Sequence, residues 1–110
     1  MDNVKNDQYF VKKIMEFINF AISHLDSISC QQFESNDVLK NAIMFTFIQI
    51  SENTNKLSDE SKTNHSNIPW NQIRGLRNII VHNYEIMDGY IVYDTVKNGL
   101  PEFKELLLSI

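Results

Sequence analysis

Residues 42–50 read AIMFTFIQI, and this apolar stretch is the middle of the segment that decides the fold. A helix is expected from about Asn36 to Leu57, introduced by the N-cap cluster Ser35-Asn36-Asp37. A helix that is apolar nearly all round must be buried on more than one side. A chain of 110 residues has little protein available to surround it. We therefore expect a subunit interface to supply part of the cover, with a core formed within one chain as the alternative.

The segments before and after this helix are also helical or polar. Apolar residues at three- and four-residue spacing predict a long amphipathic helix from about Asp7 to Ser29, followed by a polar break at Gln31-Gln32. The stretch Ser58 to Asn67 is rich in Ser and Asn and is expected to be a loop, with one short helix opening at Ser58-Asp59-Glu60.

Two further helices are expected in the C-terminal half. One starts at Ile68-Pro69-Trp70, with the proline in the first turn, and fades near Asn83. Asp88-Gly89 is expected to be a turn. Helical spacing returns from Tyr90 to Ile110, with a kink or break at residues 99–101, which read GLP. No strand-like alternation of any length occurs, so the prediction is an all-α, homodimeric, up-and-down bundle of four to five helices in a single domain, residues 1–110.

Composition excludes several classes of protein. The formal charge of −4 and the isoelectric point near 5.2 argue against a protein that coats nucleic acid through bulk electrostatics. The single cysteine, Cys30, cannot form an intrachain disulfide, which suits a reducing cytoplasm. No signal peptide or membrane-crossing apolar run is recognisable, so a cytoplasmic protein without a membrane partner is expected.

The chemistry is concentrated in the stretch WNQIRGLRNIIVHNYE, residues 70–85. Arg77, Asn78, His82 and Tyr84 place a cation, an amide, an imidazole and a phenol close together. Guanidinium suits bidentate phosphate recognition, and imidazole transfers protons in both directions near neutral pH. The cluster thus has the groups that phosphodiester chemistry needs without a metal or another cofactor.

An ideal helix separates two of these residues. At about 100° per residue from Ile73, Arg77 lies about 40° away, inside the apolar arc, while His82 lies on nearly the opposite side with Asn78. Either the helix ends before His82 and the chain turns it back, or the site combines residues of two chains. Arg77 also has an ordinary interpretation, a salt bridge to Glu52 or Glu85.

The segment IPWNQIRGLRNIIVHNYE strongly resembles the HepT family, the toxins of HepT–MntA toxin–antitoxin pairs in the HEPN superfamily. The motif R-N-x-x-x-H-x-Y is matched at Arg77, Asn78, His82 and Tyr84. The lead-in Ile-Pro-Trp and the retained Glu52 support the match. Ser51-Glu52-Asn53 departs from the usual Gly-Glu-Ala of the family, which affects the expected site geometry more than the fold.

The resemblance implies a small all-α homodimer whose two motifs face a shared cleft and which cleaves RNA without a metal. In that scheme Arg77 holds the scissile phosphate, and His82 is the general acid or base as a ribose 2′-hydroxyl attacks phosphorus. Asn78 orients the phosphate or the histidine, and Glu52 is a supporting residue of the cleft. Tyr84 corresponds to the tyrosine that the partner MntA, a minimal nucleotidyltransferase, modifies with AMP to silence the toxin.

Three alternatives compete with this reading. The first is a helical dimer that binds a nucleotide or the partner enzyme without cleaving anything. The second is a metal site built from His24, His65 and His82, which are scattered without ligand spacing. The third uses Cys30 as a nucleophile, although no histidine lies near it in sequence.

Overall fold

The architecture of residues 6–83 and 88–110, which a computed structural model describes, is entirely helical. In chain order the helices are α1 (Asp7–His24), α2 (Cys30–Glu34), α3 (Asp37–Asn55), α4 (Asp59–Asn64), α5 (Trp70–Asn83), α6 (Gly89–Asp94) and α7 (Leu100–Leu107), and a π-helical segment (Thr95–Gly99) joins the last two. The four long elements are α1, α3, α5 and the continuous run 89–107. The predicted all-α bundle is confirmed.

Side-chain caps fix where several helices begin. The side chains of Asn6, Asn36 and Ser58 accept hydrogen bonds from backbone N–H groups in the first turns of α1, α3 and α4. The carboxylate of Asp7 also accepts from the backbone N–H (2.9 Å) and the hydroxyl (2.7 Å) of Ser58, which ties the start of α1 to the start of α4.

Several predicted boundaries need correction. The first helix ends at His24 instead of Ser29, and the expected polar break at Gln31-Gln32 is the short helix α2, because Ser29 and Gln32 form a reciprocal capping box. Gly89, expected in a turn, is the first residue of α6, and the carboxylate of Asp88 caps this helix by accepting from the N–H of Tyr90 at 2.9 Å.

The third long helix begins at Trp70, so Pro69 stands immediately before it. Its carbonyl accepts the first helical hydrogen bond, from the N–H of Ile73 at 3.2 Å. The expected irregularity at residues 99–101 is the π-helical segment, which ends at Gly99; α7 begins at Leu100, with Pro101 in its first turn. Proline donates no backbone hydrogen bond, and its ring crowds the carbonyl group four residues earlier. A widened helical turn before the proline makes room for the ring.

Helix α3 lies at the centre of the bundle, with its most extensive contacts to α1 and α5, and α7 packs against α1. The core contains residues of every long element; its largest fully buried side chains are Ile14, Ile18, Leu25, Phe33, Ile43, Phe47, Ile50, Ile68, Val96 and Leu107. Most of the apolar middle of α3 is therefore covered within one chain. Phe45 remains 59% exposed, and the homodimer stays a prediction.

None of the helices in the described ranges is long and apolar enough to cross a bilayer.

Candidate active site on helix α5

Arg77 and Glu52 form the centre of the candidate site. Arg77 projects from α5, and its Nε donates to Oε2 of Glu52 on α3 at 2.9 Å. The two side chains are 43% and 42% exposed, so the pair lies at the surface and not in the core. The salt bridge between Arg77 and Glu52, one of the two partners suggested by the sequence, is confirmed as a contact.

The remaining nitrogens of Arg77 are less constrained. Nη1 donates to Oδ1 of Asn78 at 3.4 Å, a long hydrogen bond between exposed neighbours. In the described part of the chain, Nη2 has no hydrogen-bond partner. Glu52 thus fixes the guanidinium by its Nε edge, and the half-exposed side chain has terminal nitrogens that can donate to an anion.

His82 is exposed and lies within α5, one residue before the helix ends at Asn83. The possibility that the helix stops before His82 is therefore excluded. Five helical residues turn His82 about 140° away from Arg77 around the helix axis. Within residues 6–83 and 88–110 no hydrogen bond to the imidazole is found, so the structure brings Arg77, Asn78 and Glu52 together but not His82. Tyr84 lies outside the described residues.

Ser51, one of the two residues that depart from the Gly-Glu-Ala pattern, has a clear structural role. It is fully buried, and its hydroxyl donates to the carbonyl oxygen of Arg74 at 3.3 Å. This bond joins α3 to α5 one residue before Glu52 and three residues before Arg77. It therefore supports the register that places the carboxylate against the guanidinium.

The three histidines of the proposed metal site do not form a ligand set. His24 Nδ1 contacts the carbonyl of Phe20 at 2.8 Å, at the end of α1. His65 uses both ring nitrogens, on the carbonyls of Ser61 (2.8 Å) and Ser109 (3.2 Å). Among the residues that the structure describes, no group of three His, Cys, Asp or Glu side chains is placed to hold a metal ion.

The thiol of Cys30 is poorly suited to act as a nucleophile. Desolvation raises its pKa above the ordinary value, and the carboxylate of Glu34, which accepts a hydrogen bond from the thiol at 3.6 Å, raises it further together with the charge of Asp88. The reactive thiolate is disfavoured in these surroundings.

A groove that the sequence reasoning missed lies between α4 and the first turns of α5. This α4–α5 groove has a volume of about 550 Å³ and is lined by Thr54, Asn55, Asp59, Lys62, Thr63, Ser66, Ile68, Pro69, Trp70, Asn71, Gln72 and Arg74. Arg74 and Arg77 are the only two arginines of the chain, three residues apart. That spacing, which puts both on neighbouring positions of one helix surface, was the available signal.

Comparison with known proteins agrees with the motif. A family model described as ribonuclease HepT-like matches residues 11–110. A protein of Caldanaerobacter subterraneus is 26% identical over 107 residues, which cover 97% of this chain and 96% of that protein. A protein of Methanocaldococcus jannaschii is 27% identical over 96 residues, covering 87% and 88%. Both are named "Putative RNase".

A protein of Thermococcus cleftensis named "Probable ribonuclease HepT" is 23% identical over 95 residues, or 86% of each chain. No solved structure matches the chain significantly. The family model covers nearly the whole sequence, and its description confirms both the resemblance and the ribonuclease class inferred from residues 70–85. The chain belongs to the HepT-like ribonuclease family.

Proposed function

We propose that this protein is a metal-independent endoribonuclease, the toxin of a toxin–antitoxin pair, with Arg77 and His82 as its catalytic residues. The observation that carries the proposal is the Arg77–Glu52 pair at 2.9 Å, in which the side chain of Arg77 is 43% exposed. A carboxylate that holds Nε pre-orients the fork before the substrate arrives. The fork can then bind a scissile phosphate and stabilise the charge that develops on its oxygens.

His82 supplies the proton transfers. The ribose 2′-oxygen attacks the adjacent phosphorus, the bond from phosphorus to the 5′-oxygen breaks, and the products are a 2′,3′-cyclic phosphate and a 5′-hydroxyl. One proton leaves the 2′-hydroxyl and one is delivered to the 5′-oxygen. An exposed imidazole can accept the first or donate the second.

The continuous helix favours a site made by two chains. Arg77 and His82 of one chain diverge by about 140° around α5, so a single phosphate is not easily shared between them. In a two-fold dimer, His82 of one copy can face Arg77 of the other. Because of the symmetry, the cleft then contains two equivalent sites, each with one arginine and one histidine. Asn78, adjacent to Arg77, is available to orient the phosphate.

The proposed control of the activity is AMPylation of Tyr84 by a minimal nucleotidyltransferase of the MntA kind. Tyr84 follows His82 by two residues. An AMP group there adds negative charge and bulk close to the catalytic residues, which opposes the binding of an RNA phosphate.

The decisive experiment is RNA cleavage by the purified protein, with Arg77→Ala and His82→Ala beside the wild type and Tyr84 confirmed unmodified by intact mass. Cleavage that leaves a 2′,3′-cyclic phosphate, persists in chelator and is lost in both variants supports the proposal. His24→Ala is the matched control, since it removes an exposed imidazole from the end of α1. Full activity of His82→Ala contradicts the proposal.

A second candidate function is a non-catalytic helical dimer that binds a nucleotide or the partner nucleotidyltransferase. The acidic charge of −4 and the divergence of Arg77 from His82 favour it. The two functions separate on one comparison: a folded, unmodified dimer that cleaves no RNA but retains a nucleotide or the partner is a binding module.

A further inference from the structure

The α4–α5 groove has the size and the chemistry of a ligand site. Its volume of about 550 Å³ lies in the range of small-molecule pockets. Lys62 and Arg74 contribute two positive charges to its lining, against one carboxylate from Asp59. Hydroxyl and amide side chains make up much of the rest. An anionic ligand with many hydrogen-bonding groups suits these walls.

Trp70 lines this groove with its N–H already hydrogen-bonded. The indole Nε1 donates to the carbonyl oxygens of Lys62 (3.2 Å) and His65 (3.1 Å), so its polar atom is already satisfied by the backbone around α4. The side chain is half-buried against the core and lines the groove. A fixed, partly exposed aromatic ring is the kind of surface on which nucleic-acid bases stack.

Arg74 is, among the residues that the structure describes, an arginine without an ion pair. Its Nη2 donates to Oδ1 of Asn71 at 2.7 Å, which holds the side chain over α5. Within residues 6–83 and 88–110 no carboxylate lies within ion-pair distance of Arg74, whereas Arg77 is paired with Glu52. A phosphate that binds Arg74 therefore displaces no carboxylate of the described residues from it.

The groove leads along α5 to the proposed catalytic arginine. At about 100° and 1.5 Å per residue, Trp70, Arg74 and Arg77 fall within about 60° of one another around the helix and span about 10 Å along it. An aromatic ring, a free cation and a paired cation thus follow one another along one face.

We infer that the α4–α5 groove binds the RNA strand beside the scissile phosphate, with a base on Trp70 and a flanking phosphate on Arg74. This inference rests on the proposed ribonuclease function, since RNA is the substrate that places a phosphate on Arg77. It assigns specificity for longer strands to residues outside the R-N-x-x-x-H-x-Y motif.

The chain has one tryptophan, so its fluorescence reports on the groove alone. His82→Ala protein is titrated with a ribo-oligonucleotide of about ten residues, a length in the range of single-strand binding sites. Trp70 emission is expected to be quenched on binding. Adding Arg74→Ala is expected to weaken binding about tenfold and to lower the salt dependence by about 0.7 in log–log slope. Lys12→Ala on α1, which removes one exposed positive charge outside the groove, is the matched control.

Cleavage by the active protein separates this inference from the function on which it rests. The wild type is expected to have a lower KM for the oligonucleotide than for a ribodinucleotide. Arg74→Ala is expected to reduce the ratio of these two KM values about tenfold. Two results would contradict RNA binding in the α4–α5 groove without contradicting the ribonuclease function. One is RNA cleavage without any change in Trp70 emission; the other is an Arg74→Ala variant that binds RNA as tightly as Lys12→Ala. If Trp70 emission is quenched in a way that depends on Arg74 but the protein cleaves no RNA, RNA binding in the groove is supported and the ribonuclease function is contradicted.

Discussion

The two ends of α5 are held very differently. At its start, Trp70 is bonded to two backbone carbonyls, Ile73 is buried, and the carbonyl of Arg74 accepts from the buried Ser51. Toward its end, Arg77 has one half-exposed ion pair and His82 is exposed. The start of α5 is therefore held by side-chain hydrogen bonds as well as by packing. The later turns are held in the core by Ile80 and present the reactive side chains, an arrangement in which a rigid element positions accessible groups.

The largest expected effect comes from the exposed end. Arg77→Ala and His82→Ala should each reduce RNA cleavage by about a thousandfold, the range of a lost acid–base or charge-stabilising group. If the site spans two chains, mixing the two inactive variants should restore about a quarter of the activity, because half of randomly mixed dimers contain one intact site. Mixed protein that stays inactive despite subunit exchange would place both residues of a site in one chain.

The anchored end should dominate stability. Trp70→Ala removes a half-buried aromatic and its hydrogen bonds to the Lys62 and His65 carbonyls, each of which keeps one backbone donor. We therefore expect a loss of about 2–3 kcal/mol in the free energy of unfolding, mostly from lost packing. Urea denaturation followed by circular dichroism measures it. Tyr90→Ala, which truncates a 60% exposed aromatic, should change stability by less than about 0.5 kcal/mol. Equal losses in the two variants would mean that the start of α5 is not anchored by Trp70.

Glu52→Gln tests the contact that holds Arg77 against α3. Both partners of the Arg77–Glu52 pair are more than a third exposed, so the stability change should stay below about 1 kcal/mol. Cleavage should nevertheless fall about tenfold, mostly in kcat, because the guanidinium loses its orientation and not its charge. Glu16→Gln, which breaks the exposed Lys13–Glu16 pair on α1, is the control and should leave cleavage unchanged. A loss confined to KM would assign Glu52 to substrate binding.

Ser51 is expected to affect stability and not the catalytic groups directly. Ser51→Ala removes the hydrogen bond to the Arg74 carbonyl and should cost about 1 kcal/mol. Ser51→Gly, which restores the residue usual in the family, should cost about 1 kcal/mol more, since glycine is unfavourable inside a helix. Thermal unfolding of both variants measures the difference. A glycine variant as stable as the alanine variant would mean that the backbone of α3 relaxes at this turn.

The elements that the sequence predicted best are those with local signals. The starts of α3 and α4 follow from the caps Asn36 and Ser58, and the length of α5 from its apolar spacing. Helix α2 was missed because two glutamines look like a polar break unless Gln32 is recognised as the partner of Ser29 in a capping box. Asp88-Gly89 predicts a turn and a helix start equally well, and at Gly89 the helix start is the one observed.

The candidate site was predictable in part for the same reason. Arg77, Asn78 and His82 lie within six residues, and the helical divergence of Arg77 from His82 could be worked out from spacing alone. The bond between Ser51 and Arg74 spans 23 residues, and the α4–α5 groove depends on how α4 and α5 pack. Such contacts are set by packing between elements, which periodicity within one element does not encode.

The concentration of both arginines on one turn of α5 has a kinetic consequence. The chain as a whole carries a net charge of −4, so a polyanion that meets most of its surface is repelled before contact. The range of that repulsion is about 8 Å at physiological ionic strength, comparable to the length of the stretch from Trp70 to Arg77. The negative charge of the rest of the protein then orients an RNA strand as it approaches. Encounters with the acidic surface are short-lived, and those that begin at the two arginines last longer. High salt is expected to weaken both the repulsion of RNA by the acidic surface and its attraction to the two arginines.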